Sequence, residues 1–201
     1  MHGPYRQARF LEGVARLASL PPDVGAEVAF AGRSNAGKSS VINALTGQSA
    51  LARISKTPGR TQLLNFFVLD DDRRLVDLPG YGYASVPLAV KRRWARLVEG
   101  YLESRRSLAG VVLLMDARRP FTDADTQLVE WCRHAGVATH VLLNKSDKLG
   151  RGAGARALAG ARRRLEALGG EAGVQLFSAT RKTGIDALGA RLDAWLGYAP
   201  P

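Results

Sequence analysis

Lys38 and Ser39 close the run Gly32-Arg33-Ser34-Asn35-Ala36-Gly37-Lys38-Ser39, in which a glycine is followed after four residues by Gly-Lys-Ser. Glycines at those positions let backbone N–H groups converge on phosphate oxygens, and a helix opening at Lys38 adds a favourable dipole. The lysine reaches the β- and γ-phosphates of a nucleotide, and the serine hydroxyl ligates Mg²⁺. The flanks suit this chemistry: EVAFAG at 27–32 is an apolar run of strand length, and a helical pattern follows.

A phosphate cradle does not choose a base. Asn144-Lys145-Ser146-Asp147, at the end of the apolar run THVLLN, does. A carboxylate at Asp147 accepts from guanine N1–H and from the exocyclic 2-amine. Adenine offers neither, so ATP would leave Asp147 unpaired. Asn144 is expected to hold neighbouring loops and the base edge, and the stem of Lys145 to cover the base or ribose. The loop Phe177-Ser178-Ala179, with Thr180 next, would bring a backbone N–H near guanine O6.

Two further loops complete the set. In DLPGYGYA at 77–84, Asp77 would support Mg²⁺ through water and the Gly80 N–H would bind a γ-phosphate. In KTPGRTQ at 56–62, Thr61 is a candidate second protein ligand for Mg²⁺. Loops ordered by a γ-phosphate and released after its hydrolysis make a two-state switch.

These loops need strands and helices to place them. Apolar runs at 27–32, 63–69, 110–117, 139–144 and 174–179, with the shorter RLVDL at 74–78, predict six buried strands. Helical patterns lie between them at 87–105, 122–135, 153–168 and 184–197. In the first of these Val90, Trp94, Leu97, Val98, Tyr101 and Leu102 form one stripe. Thr122 with Asp125 resembles a capping box. Alternation of this kind predicts an α/β fold with a mixed, mostly parallel sheet covered by helices on both faces. The short turn Asp70-Asp71-Asp72 joins two strands as a hairpin and reads as a solvated tip. Residues 1–24 read as an extension leading into one domain, 25–201.

The chain has 201 residues and a formal net charge of +11, a balance that favours a polyanionic partner, most simply nucleic acid. One cysteine, Cys132, excludes an internal disulfide and a cysteine-cluster metal site. The first residues carry no apolar signal segment and the apolar runs are too short to span a bilayer, so the expected location is the cytoplasm, away from membranes.

Taken in order, GRSNAGKSS, KTPGRTQ, DLPGYGYA, NKSDK and FSAT resemble the EngB family of bacterial GTPases, also called YihA or YsxC, over roughly residues 10–197. The second and third motifs are specific to that family. The resemblance implies a Ras-like P-loop GTPase domain, cytoplasmic and Mg²⁺-dependent, acting in large ribosomal subunit assembly with a link to cell division and septation; a monomer is expected. It implies nucleotide contacts from Gly32 to Ser39, from Gly59, Arg60, Thr61, Gln62 and Leu63, from Asp77, Leu78, Pro79 and Gly80, from Asn144 to Asp147, and from Phe177 to Ala179. Ala36 stands where the family often has Val, and Asn144 where Thr is common. The alternative function is a GTP-gated interaction protein of the division machinery with no direct ribosomal RNA role.

Many GTPases place a Gln after the glycine of Asp-x-x-Gly to orient the attacking water; here that residue is Tyr81. A phenol cannot copy an amide's donor–acceptor pair, so unaided hydrolysis is expected to be slow. The rescue could come from a K⁺ ion held with the help of Asn35, or from the ribosome. Asn35 could equally make a local loop-capping hydrogen bond. Tyr81 and Tyr83 could pack on the switch surface or stack on a partner. Arg92, Arg93 and Arg96 fall on the polar side of the 87–105 helix, with Arg105 and Arg106 beyond them. Arg162 and Arg163 fall on the 153–168 helix. These groups are the candidates for ribosomal RNA contact.

Overall fold

The computed structural model describes residues 3–52, 63–82, 87–169 and 172–199. Its strands are β1 (Arg9–Val14), β2 (Ala26–Gly32), β3 (Leu64–Val68), β4 (Arg73–Asp77), β5 (Leu108–Asp116), β6 (Thr139–Asn144) and β7 (Gly173–Leu176). The helices are α1 (Lys38–Thr46), α2 (Leu88–Ser104), α3 (Asp123–His134), α4 (Arg151–Ala167) and α5 (Ile185–Leu196). The sheet order is β1-β3-β4-β2-β5-β6-β7. β3 runs antiparallel to both β1 and β4, and the other pairings are parallel.

The sheet therefore has seven strands among the described residues, one more than the six expected. The additional strand comes from residues read as an extension. β1 is an edge strand whose only buried residue is Val14, so it lacks the apolar run that marks the central strands. The last strand ends at Leu176, short of the expected 179, which leaves Phe177 and Ser178 for a loop.

Side chains along the central strands alternate between two cores. On β5, Val111, Leu113 and Met115 face the layer that holds Leu97, Val98 and Tyr101 of α2, Leu128 and Cys132 of α3, and Leu165 of α4. Val112 and Leu114 face Val41, Ile42 and Leu45 of α1 and Leu188 and Leu192 of α5. Cys132 is buried there, and burial pushes its thiol up to about 11, away from reactivity. The predicted capping box is present: Asp125 Oδ2 accepts from the Thr122 backbone N–H (3.0 Å) and from its hydroxyl (2.8 Å).

Arg105 does not belong to the basic surface. It is 6% exposed, and its guanidinium donates to both oxygens of the fully buried Glu27 (2.9 and 2.5 Å) and to the Pro21 carbonyl (2.8 Å). Arg74 and Tyr101 complete the shell around Glu27 (3.1 and 3.0 Å). A buried carboxylate is tolerated when every oxygen is met in this way. The network ties the 21–24 segment to β2 and so fixes where the first central strand begins.

Candidate functional site

β2 ends at Gly32, and α1 begins at Lys38. The intervening turn depends on two glycines. A Cβ on Gly32 would lie 3.0 Å from the Leu114 carbonyl oxygen; one on Gly37, at φ +95°, would lie 2.4 Å from Asn144 Nδ2. Asn35 also takes a left-handed conformation, φ +64°. The loop thus curls around the N-terminus of α1, where the helix dipole favours an anion. It opens onto a cavity of about 1140 Å³ whose wall includes Ser34, Lys38, Ser39, Leu63, Asp77 and Gly80.

The guanine-type motif is fastened to this loop. Asn144, 2% exposed at the end of β6, donates Nδ2–H to the Ala36 carbonyl at 2.7 Å. Lys145, at φ +63°, donates Nζ–H to the Asn35 carbonyl at 2.6 Å. The loop-holding role expected of Asn144 thus has a definite carbonyl partner, and the Lys145 ammonium, whose stem was expected to cover the base or ribose, holds the same loop. The Asn35 carbonyl is thereby engaged as an acceptor. Lys145 also pairs with Asp116 at the end of β5 (3.0 Å), and Asp116 in turn binds Arg118. Hydrogen bonding from Arg118 and then Lys145 holds the Asp116 carboxyl well below the usual range. Asp116 was missed in the sequence; a lone Asp after a strand has no motif to mark it.

Asp147 accepts from the Ser178 hydroxyl at 2.7 Å, which lowers its pKa and keeps it a carboxylate. Ser146 N–H binds the Phe177 carbonyl at 3.1 Å, and Ser178 exchanges backbone bonds with Thr183. These contacts place the Phe177–Ala179 loop beside Asn144–Asp147, as the order of motifs required.

On the opposite wall, Asp77 ends β4 and forms an ion pair with Lys38. Leu78 N–H binds the Phe30 carbonyl (2.9 Å), Ser34 N–H binds the Tyr81 carbonyl (2.8 Å) and Tyr81 N–H binds the Gly32 carbonyl (3.4 Å). The Asp77–Tyr81 segment is therefore laced to the phosphate loop. Tyr81 itself is 4% exposed. Its ring packs on Trp94 and its hydroxyl donates to Asp125 Oδ1 at 2.9 Å, so its side chain is an interior group and not a partner-stacking one. Burial, then Asp125, raises its pKa well above the ordinary phenol value. Gly59, Arg60, Thr61, Gln62 and Tyr83 lie outside the described residues. Arg92, Arg93 and Arg96 of α2 are exposed, as are Arg162 and Arg163 of α4.

The donor set at the phosphate end fits a small hard cation. Ser39 offers a hydroxyl and Asp77 a carboxylate to the same cavity, with no soft ligand among the lining residues. Among the described residues, no group of three or more His, Cys, Asp or Glu side chains could hold a metal by itself. A cation here would thus need oxygens from the nucleotide, as Mg²⁺ commonly does.

A family model described as 50S ribosome-binding GTPase matches residues 27–145. A probable GTP-binding protein EngB of Nitrosococcus oceani is 57% identical over 197 residues, covering 98% of each chain. One from Escherichia coli O139:H28 is 51% identical over 197 residues, covering 98% of this chain and 94% of that one. Among solved structures, a probable GTP-binding protein engB superposes with a TM-score of 0.70 at 24% identity, over 87% of this chain and all of that one. Era bound to MgGDPNP and a segment of 16S ribosomal RNA gives 0.63 at 21% identity, over 89% of this chain and 58% of that one. At these identities the structural likenesses speak for the fold, a Ras-like GTPase domain.

Proposed function

The chain belongs to the EngB family of GTP-binding GTPases, and from that premise we propose that it is a slow, Mg²⁺-dependent GTP switch that docks on the assembling large ribosomal subunit. The observation that carries the switch is the lacing of Asp77–Tyr81 to the phosphate loop through Ser34 and Gly32. A loop bonded to the cradle on one side of Gly80 will respond to the presence of a third phosphate. The family description and the net charge of +11 support the ribosomal partner.

In this reading Lys38 exchanges Asp77 for β- and γ-phosphate oxygens when nucleotide enters. Backbone N–H groups of the phosphate loop and the start of α1 cradle the phosphates, and Asp147 takes the guanine N1–H and 2-amine. Ser39 and Thr61 would hold Mg²⁺, with Asp77 behind a water; bound there, the cation neutralises developing charge on the phosphate oxygens. Water attacks the γ-phosphorus, the bond to the β–γ bridging oxygen breaks, and GDP and phosphate result. Tyr81 has no amide to orient that water, and its hydroxyl is committed to Asp125. Hydrolysis should therefore wait for the ribosome, or for a K⁺ ion held with the help of Asn35, whose added charge would favour the transition state. The family link to division and septation would then follow from ribosome supply.

Turnover assays test this reading. GTP and ATP are compared in K⁺ and in Na⁺, with and without purified large subunits. The expected result is slow GTP-only turnover that rises when subunits are added. Fast turnover by the isolated chain in Na⁺, or equal use of ATP, would sink it.

A further inference from the structure

The loop around Gly80 is held from behind by two helices that supply nothing to the cradle itself. Trp94 of α2 donates its indole N–H to the Pro79 carbonyl at 2.8 Å. Asp125 of α3 accepts the Tyr81 hydroxyl at 2.9 Å and is 1% exposed. Between these anchors the Trp94 ring lies against Tyr81 (centroids 5.4 Å apart) and against Trp131 (5.8 Å). Both neighbours of Gly80 are thus tied down, one through its carbonyl and one through its side chain.

The first anchor acts on a specific atom. The Pro79 carbonyl and the Gly80 N–H belong to one peptide unit, which is planar and trans, so the two groups point in opposite directions. A donor that fixes the carbonyl toward α2 fixes the N–H away from α2. Pro79 and Gly80 both line the cavity. A flip of this peptide unit, which would reverse the N–H, would break the Trp94 bond. The second anchor stops the loop from sliding, because Tyr81 is bonded through its backbone to Ser34 and Gly32 and through its side chain to Asp125.

We propose that Trp94 and Asp125 are positioning residues that hold the Gly80 N–H toward the phosphate loop and thereby raise the affinity for a nucleotide with a γ-phosphate relative to GDP. The inference rests on the switch reading above. GDP has no atom for the Gly80 N–H to meet, so loss of an anchor weakens a triphosphate and spares the diphosphate. A merely structural role would weaken both alike.

The test uses the full chain and displacement of a fluorescent GDP by unlabelled GDP and by a non-hydrolysable GTP analogue. Trp94→Phe keeps a ring and removes the donor. Tyr81→Phe removes only the bond to Asp125. Thr122→Ala is the control, since it removes a hydroxyl that binds Asp125 and leaves both anchors intact. Either Phe variant should raise the analogue's Kd by about three- to tenfold, the worth of one ordinary hydrogen bond, with the Kd for GDP within about twofold. Thr122→Ala should move neither. Equal changes for both nucleotides in the two Phe variants, or no change in either, would overturn the proposal. If the wild-type chain itself bound no guanine nucleotide, the switch reading would fall and the proposal with it, and the wild-type curve alone would reveal that.

Discussion

Replacing Asn144 by Ala cuts the bond by which the guanine motif holds the phosphate loop. The Asn144 side chain donates to the Ala36 carbonyl at 2.7 Å and is 2% exposed, so water cannot take its place without opening the site. A buried carbonyl stripped of its donor costs about 1–3 kcal/mol. At 1.4 kcal/mol per decade that is roughly a 5- to 150-fold effect. Part of it will appear as lost fold stability and part as lost nucleotide affinity, since the loop is used in both. The assay is therefore urea unfolding without nucleotide together with GDP binding, and the two losses should sum to about 1–3 kcal/mol. Gly37→Ala attacks the same contact from the other side, because its Cβ would lie 2.4 Å from Asn144 Nδ2 at φ +95°. The double variant should cost less than the sum of the singles, as neighbours sharing one contact do. An Asn144→Ala chain with wild-type unfolding and GDP affinity within twofold would show that this bond does not hold the loop.

Other outcomes follow from the same geometry. Asp147→Asn should shift preference from GTP to xanthosine triphosphate, since an amide can donate to the xanthine 2-carbonyl where the carboxylate accepted from the guanine 2-amine; nucleotide competition reads it directly. Asp116→Ala frees Lys145 from one of its two partners and should weaken GDP binding several-fold with little change in the urea midpoint, as the Asp116 side chain is 20% exposed. Glu27→Ala strands Arg105 and Arg74 and should cost about 3–5 kcal/mol of stability, measured by urea unfolding, without a matching change in nucleotide selectivity. Guanine binding needs the Asp147 carboxylate, and Ser178 lowers that pKa from 3.8. Affinity should therefore persist as pH falls toward 4. Ser178→Ala should move the acid-side loss to higher pH, toward the ordinary carboxylate value, which titrations of GDP affinity from about pH 6 down to about pH 3 will show.

The parts of the site written in the sequence are those that the backbone itself must obey. Gly37 is forced by a left-handed turn against Asn144, so the spacing of the phosphate loop is legible without a structure. The central strands were legible because both of their faces are covered and their apolar runs are unbroken. β1 was not, because five of its six residues are exposed and its partner β3 lies some fifty positions downstream. Arg105 and Arg92 look alike in the string. Only the end of α2, turned toward Glu27, separates a buried, ion-paired arginine from an exposed one. The commitment of Tyr81 to Asp125 spans 44 residues and leaves no local trace, though the capping box that makes Asp125 part of a helix start was visible.

Sedimentation of large ribosomal subunits at moderate salt tests the central claim most directly, with the chain loaded with a non-hydrolysable GTP analogue, with GDP, or with neither. A γ-phosphate-gated switch that docks on the subunit predicts co-sedimentation with the analogue and loss of it with GDP. Equal binding in all three states, or none in any, would contradict it.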